Sequence, residues 1–186
     1  MSISIRSWKK EDANILADML NNKNVLDNLN DGIPFPYTLS DANDFIAGLN
    51  DLEPNNAFIW AITENGVVVG GISVFRRENV RRLTAELGYY LDEKHWGKGI
   101  MVQAIHQACK YIFKNTDIVR IFAEPFCTNQ ASLGITGRIA IYVSENNSSI
   151  SEITGGLLIN LALFFVPGFL FITSLILAAR LIRRKH

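Results

Sequence analysis

Between Tyr89 and Met101 the chain reads Tyr-Tyr-Leu-Asp-Glu-Lys-His-Trp-Gly-Lys-Gly-Ile-Met. A strand-like apolar run ends here, a turn holding Gly97 and Gly99 follows, and helical periodicity begins. Successive main-chain N–H groups at a helix start, uncovered by side chains, form a cradle for an anion. Lacking a Cβ, Gly97 and Gly99 let a bulky anion such as a diphosphate approach the backbone. The amides from Gly97 through Lys98 and Gly99 to Ile100 are the expected donors. The same glycines also suit a tight strand-to-helix turn without any ligand, and spacing alone does not separate the two. Cys109 and Cys127 show no metal-ligand spacing, so no metal site is expected.

The elements that must position this turn follow from periodicity. Ser2–Trp8 alternates apolar and polar residues, as a short strand does. Lys10–Leu20 predicts a helix, with Glu11 and Asp12 in its first turn and Ile15, Leu16, Met19 and Leu20 as its apolar stripe. Pro34 and Pro36 make Asp31–Tyr37 a rigid loop. Ser40 is the expected N-cap of a second helix to about Asn50, with Ala42, Phe45, Ile46 and Leu49 on one face. Phe58–Thr63 and Val67–Arg76 flank Glu64-Asn65-Gly66, and Asn-Gly between strands predicts a type I′ hairpin. Leu83–Leu91 is a further strand. Ala85, Leu87, Tyr89 and Leu91 share one face, and Glu86, Gly88 and Tyr90 the other. The helix after Gly99 reaches about Lys114 and buries Met101, Ala104, Ile105, Ala108, Cys109 and Ile112. Arg120–Phe126 is another strand. This order predicts an α+β fold, a mixed and mostly antiparallel sheet flanked by helices.

Charge divides the chain unevenly. Residues 1–132 hold 13 Lys/Arg and 16 Asp/Glu, a net −3, whereas residues 133–186 hold 5 and 2, a net +3. Neither part is basic enough to predict nucleic-acid binding. No apolar run lies near Met1, so the first part is expected to fold in the cytoplasm.

The stretch around Gly97 and Gly99 resembles motif A of the GNAT acetyltransferases, Gln/Arg-x-x-Gly-x-Gly/Ala, with Lys94 at the Gln/Arg position. Ala85-Glu86-Leu87-Gly88-Tyr89, Arg120-Ile121-Phe122-Ala123-Glu124-Pro125 and Asn129-Gln130-Ala131-Ser132 resemble the subgroup like the ribosomal-protein N-terminal acetyltransferases. Ile5-Arg6-Ser7-Trp8 with Glu11-Asp12-Ala13 fits as well, so the resemblance covers residues 3–132. It implies acetyl transfer from acetyl-CoA to an amine, either a protein N-terminus or a small molecule. The pantetheine arm would lie along strand 84–91, against Tyr89, Tyr90 and Leu91, with a backbone N–H near Leu91 polarising the thioester carbonyl. An ammonium must lose a proton before it attacks. Glu86 is the first candidate base, the alternative being a carboxylate paired with Arg81 or Arg82. Glu124 is the second. Asn129 and Ser132 match the family's Asn-x-x-Ser, which places the Asn on the pantetheine arm and the Ser near the sulfur. As a bare pattern, Asn-x-x-Ser is also a helix start.

After Ser132 the family would continue with an Arg-x-x-x-x-x-Gly-Phe-like helix and two antiparallel strands. Here Leu133-Gly-Ile-Thr-Gly-Arg follows instead, so the fold is expected to be incomplete and to expose a sheet edge. Residues 133–152 read as a divergent connector, in which Arg138–Ser144 is a possible strand. Ile153–Ala179 runs 27 residues without a charge, more than the ~20 a helix needs to cross a bilayer. The organisation expected is therefore a domain over 1–132, a membrane-inserted apolar helix over 153–182 and a basic tail over 183–186. The tail is open to three readings: a fusion that anchors the domain to a lipid bilayer, the product of a frameshift, or a helix packed on the incomplete core. The functional alternative is a membrane-anchored, non-enzymatic remnant, truncated or frameshifted, that binds the cofactor weakly or not at all.

Overall fold

The computed structural model describes residues 1–29, 32–53, 55–124, 129, 140–145 and 149–150, all within one compact unit, Met1–Ser151. The chain opens with β1 (Ile3–Arg6). A 3-10 turn, Lys10–Asp12, leads into α1 (Ala13–Leu20). Asp12 does more than favour the helix dipole. Its carboxylate accepts from both terminal nitrogens of Arg6 at 2.7 and 2.9 Å and from the Lys9 N–H at 2.8 Å. With 6% exposure it ties β1 to α1. Burial opposes its charge, yet the Arg6 and Lys9 bonds win and hold the carboxyl below the usual range. Ala13, Leu16, Ala17, Met19 and Leu20 are buried, while Ile15, expected in the stripe, is exposed.

A four-residue helix, α2 (Lys23–Leu26), follows with Asn22 as its cap. It was absent from the sequence reading. α3 (Leu39–Gly48) begins two residues before the expected position. Its cap is Thr38, not Ser40, because Thr38 finds a reciprocal partner in Asp41. The Thr38 hydroxyl accepts from the Asp41 N–H at 3.2 Å, and the Asp41 carboxylate accepts from the Thr38 N–H at 2.7 Å.

β2 (Ala57–Glu64) and β3 (Val67–Arg76) form the predicted hairpin, with Asn65 and Gly66 at φ 50° and 87°. β4 (Thr84–Leu91) continues the meander. α4 (Ile100–Asn115) crosses over to β5 (Arg120–Ala123), which runs parallel to β4. β6 (Ala140–Glu145) and β7 (Ser149–Ile150) complete a seven-stranded order, β1 to β7 in sequence. The expectation of an open edge after β5 is thus corrected. β6 pairs antiparallel with all of β5, Arg120 facing Val143 and Ala123 facing Ala140.

The sheet separates two cores. On the α4 side, Ile62, Ile72, Val74, Ala85, Leu87, Leu91 and Ile121 pack against the whole predicted stripe of α4. Cys109 belongs to that stripe, and burial pushes its thiol up to about 12. On the other side, α1 and α3 cover Ala61, Val68 and Tyr90. Among the described residues no helix is long and apolar enough to cross a membrane. The expected membrane-inserted helix 153–182 and basic tail 183–186 lie outside the described residues, as does Ser132.

Candidate cofactor and acceptor site

β4 is gripped on both sides only at its start. It pairs with β3 from Ala85 to Leu91, but with β5 only over Thr84, Ala85 and Glu86. The direction of its backbone groups follows from its neighbours. The Arg77 N–H donates to the Thr84 carbonyl at 2.9 Å, and the Asp92 N–H donates to the Val69 carbonyl at 2.8 Å. Even-numbered residues of β4 therefore bond toward β3. The Val119 N–H donates to the Leu83 carbonyl at 2.9 Å, so odd-numbered residues face β5. Past the Glu86–Phe122 pair the stretch Leu87–Leu91 has no further strand partner among the described residues, and the backbone groups of Tyr89 and Leu91 face a gap. That edge is about 13 Å long at ~3.3 Å per residue. The Leu91 carbonyl is taken by the Trp96 indole N–H at 2.8 Å, and the Leu91 N–H has no acceptor among the described residues.

The gap ends at the glycine turn. Gly97 and Gly99 sit at φ 73° and 70°. Gly99 is the N-cap of the 16-residue α4. A Cβ on either glycine would meet nothing within 4 Å. Their requirement is therefore the left-handed backbone, with open space beside it, rather than relief of crowding by the fold itself. Among the described residues nothing accepts from the amides of Lys98–Val102, because the first bond into the helix is Gln103 N–H to Gly99 carbonyl at 3.4 Å. No acidic side chain lies in the first turn, and Lys94 and Lys98 stand exposed beside it. Cations at a helix N-terminus oppose the dipole. An anion seated on the amides would reverse that penalty.

The turn is pinned from both sides. Glu93 accepts from Asn22 Nδ2 at 2.8 Å and Asn24 Nδ2 at 2.9 Å, and these bonds hold its carboxyl below the usual range. His95 Nδ1 lies 2.7 Å from Glu64 Oε2 at the β2–β3 hairpin. Sequence reasoning missed both contacts, since each joins positions far apart in the chain.

At the other end of the gap, Phe75, Glu86 and Phe122 are direct cross-strand neighbours. They form a row on the sheet face opposite α4. Glu86 is paired with Arg77, not with Arg81 or Arg82. The Arg77 and Arg120 guanidiniums lie 5.7 and 5.5 Å from the Phe122 ring centroid. Tyr89 and Tyr90, both expected at the cofactor, part company. The Tyr89 ring packs into the α4-side core, so only its backbone reaches the gap. Tyr90 packs toward α1 and α3, and burial pushes its phenol far up. A side chain at Gly71 would meet the Tyr90 ring at 2.7 Å. Asn129 lies half-buried past β5, and Glu124 is exposed. Among the described residues no acid–His–Cys group could hold a metal. A groove of about 1010 Å³ lined by Trp8, Phe58, Trp60 and Tyr111 contains no residue of β4.

The described parallel pairing of this mixed sheet ends at Glu86, and β4 runs on to a glycine-capped helix, an α+β architecture built around one strand-to-helix turn. The chain belongs to the GNAT acetyltransferase family, whose acetyltransferase (GNAT) domain matches residues 2–140. It is 30% identical over 144 residues to the uncharacterized N-acetyltransferase p20 of Bacillus licheniformis, covering 74% of this chain and 78% of that one. Its fold matches RimL, a ribosomal L7/L12 alpha-N-protein acetyltransferase solved with coenzyme A. The TM-score is 0.64 at 23% identity, over 73% and 77% of the two chains. It also matches the spermidine N-acetyltransferase of Vibrio cholerae solved with CoA and spermine, with TM-score 0.58, 16% identity and coverage of 72% and 76%.

Proposed function

We propose that this protein transfers an acetyl group from acetyl-CoA to a primary amine, either the N-terminal residue of a protein or a small-molecule amine. The observation that carries the reading is the edge of β4 that has no strand partner among the described residues, running into the uncovered amides of α4. Those amides, with Lys94 and Lys98, would hold the diphosphate, and the edge at Tyr89 and Leu91 the pantetheine arm. Acetyl-CoA supplies the acyl carbon as a thioester; the amine nitrogen bonds to that carbon and the C–S bond breaks. The Leu91 N–H would donate to the carbonyl oxygen as charge grows on it. Glu86, in the last row before the gap, would take the proton from the ammonium, directly or through water. The relatives named above act on a ribosomal protein and on spermidine, which supports an amine acceptor here.

The test is thiol release from acetyl-CoA with a panel of amines. Release that depends on the amine supports the reading. Glu86→Gln should lower kcat by about a hundredfold, in the usual range for a lost general base, with CoA affinity retained. A loss under about threefold would remove Glu86 from that role. One observation favours the alternative, a remnant that binds without turnover: Arg77 already holds Glu86 in an ion pair. CoA binding without release for any amine would establish it. Attachment to a bilayer through 153–182 belongs to the same proposal.

A further inference from the structure

We infer that the acceptor carries an anionic group next to its amine, and that Arg120 together with Arg77 selects it. This rests on the acetyl-transfer reading above. The sheet face around Glu86 is not covered by α1 or α3, whose contacts stop at Tyr90. Phe75 is 43% exposed there. Ile121 and Ala123 point into the α4-side core, so Arg120 and Phe122 share the other face with Glu86; Phe122 is itself buried there, with the Arg77 and Arg120 guanidiniums over its ring, while Arg120 is exposed.

The arginines near this face differ in how they are used. Arg76 is fully engaged, donating to Asp117, the Asn55 carbonyl and the Arg82 carbonyl. Arg77 commits one terminal nitrogen to Glu86, and its Nε has no partner. Arg120 is exposed and pairs with no carboxylate among the described residues; its guanidinium lies over the Phe122 ring. Arg81 and Arg82 stand exposed on the β3–β4 connection at the rim. The acids close to these arginines in sequence are Glu78, Glu86, Asp117 and Glu124; Asp117 is taken by Arg76 and Glu86 by Arg77, so among the described residues Arg81, Arg82 and Arg120 have no carboxylate at ion-pair distance.

These guanidiniums do not serve the cofactor's diphosphate. Glu86 and Leu91 are roughly 16 Å apart along β4 at ~3.3 Å per residue, and the glycine cradle lies beyond Leu91. A guanidinium offers paired donors that match a carboxylate or a phosphate. An amine placed at Glu86 would carry its neighbouring anion within reach of the Arg120 fork. The same field would repel a polyamine. The shared chemistry is an anionic primary amine, and two sources supply it: a peptide with an acidic second residue, or a free amino acid such as aspartate or O-phosphoserine.

The experiment measures kcat/KM for thiol release by the full chain. The acceptors are Ser-Asp-Glu, Ser-Ala-Ala and Ser-Lys-Lys peptides with common C-terminal sequence, plus aspartate, O-phosphoserine and spermidine. The acidic peptide or the free acids should exceed their lysine or polyamine counterparts by at least about tenfold at low salt, and the margin should shrink as salt rises. Arg120→Glu should lower the acidic-to-lysine ratio at least about tenfold. Turnover of the peptide alone identifies a protein N-terminus, and turnover of the free acids alone a small metabolite; both support the inference. Equal rates across the panel, a preference for lysine or spermidine, or an unchanged ratio in Arg120→Glu would overturn it while leaving acetyl transfer intact. No release with any amine would overturn both.

Discussion

Gly99 and Asp12 show how single residues do different work here. Gly99 turns at φ 70° with open space where a side chain would sit. An alanine there fits sterically but strains the backbone by ~1–2 kcal/mol. Thermal melting of Gly99→Ala should therefore show a fall of a few degrees, by the ~2–4 °C per kcal/mol of a domain this size. Gly99→Glu should melt about as Gly99→Ala does, yet bind no CoA, because it places an anion on the diphosphate cradle. Unchanged CoA affinity by calorimetry would refute the cradle. Asp12 serves stability instead. Its carboxyl is held low, so the folded state binds that proton more weakly than the unfolded chain does. Its contribution is complete above the unfolded pKa of about 4 and is lost as pH falls through the lower folded value. Asp12→Asn should cost about 2 kcal/mol at pH 7, less than a fully buried pair because Arg6 is partly exposed. Urea unfolding at pH 7 and pH 3 would show the gap between wild type and variant narrowing at the lower pH. A gap independent of pH would mean the carboxylate charge is not what matters.

At the scale of elements, the strand-to-helix turn is held by contacts outside itself. Glu93 joins it to α2 through two asparagines. Glu93→Ala should weaken CoA binding a few-fold, since its two exposed hydrogen bonds hold the turn but contribute modestly. Global stability should stay nearly unchanged, as for other surface substitutions. Equal loss in both measurements would show that Glu93 supports the fold rather than the turn. These elements also show what a sequence reveals. The α4 stripe and the Asn65-Gly66 hairpin were legible because helical period and turn chemistry are local properties. The cap of α3 was misplaced because Ser40 is an equally good cap by type, and only the reciprocal Asp41 favours Thr38. The partner of Glu86 was missed for a different reason. Which arginine reaches Glu86 depends on the β3–β4 register and on the course of the Arg77–Leu83 connection. β6 was legible in part: Arg138–Ser144 read as a possible strand, against Ala140–Glu145 in the structure, but its pairing with β5 is a long-range property that no local pattern fixes.

For the whole molecule, the described unit and the apolar run after it pose a question of location. The GNAT domain needs acetyl-CoA, which the cytosol supplies. The basic residues Arg180, Arg183, Arg184 and Lys185 also favour the cytosolic side of a bilayer. A single span would put the domain and this tail on opposite sides. A re-entrant hairpin at Pro167-Gly168 would put both inside, although each arm of 12–14 residues is shorter than the ~20 a full crossing needs. Bilayer attachment predicts that the full chain sediments with membranes and stays there after an alkaline carbonate wash. Recovery in the supernatant would refute it. A cysteine added after His186 then distinguishes the two topologies. The hairpin predicts no labelling by an impermeant thiol reagent added to intact cells, and full labelling after lysis. Labelling in intact cells would establish the single span, with the catalytic domain inside and the basic tail outside, against the charge rule.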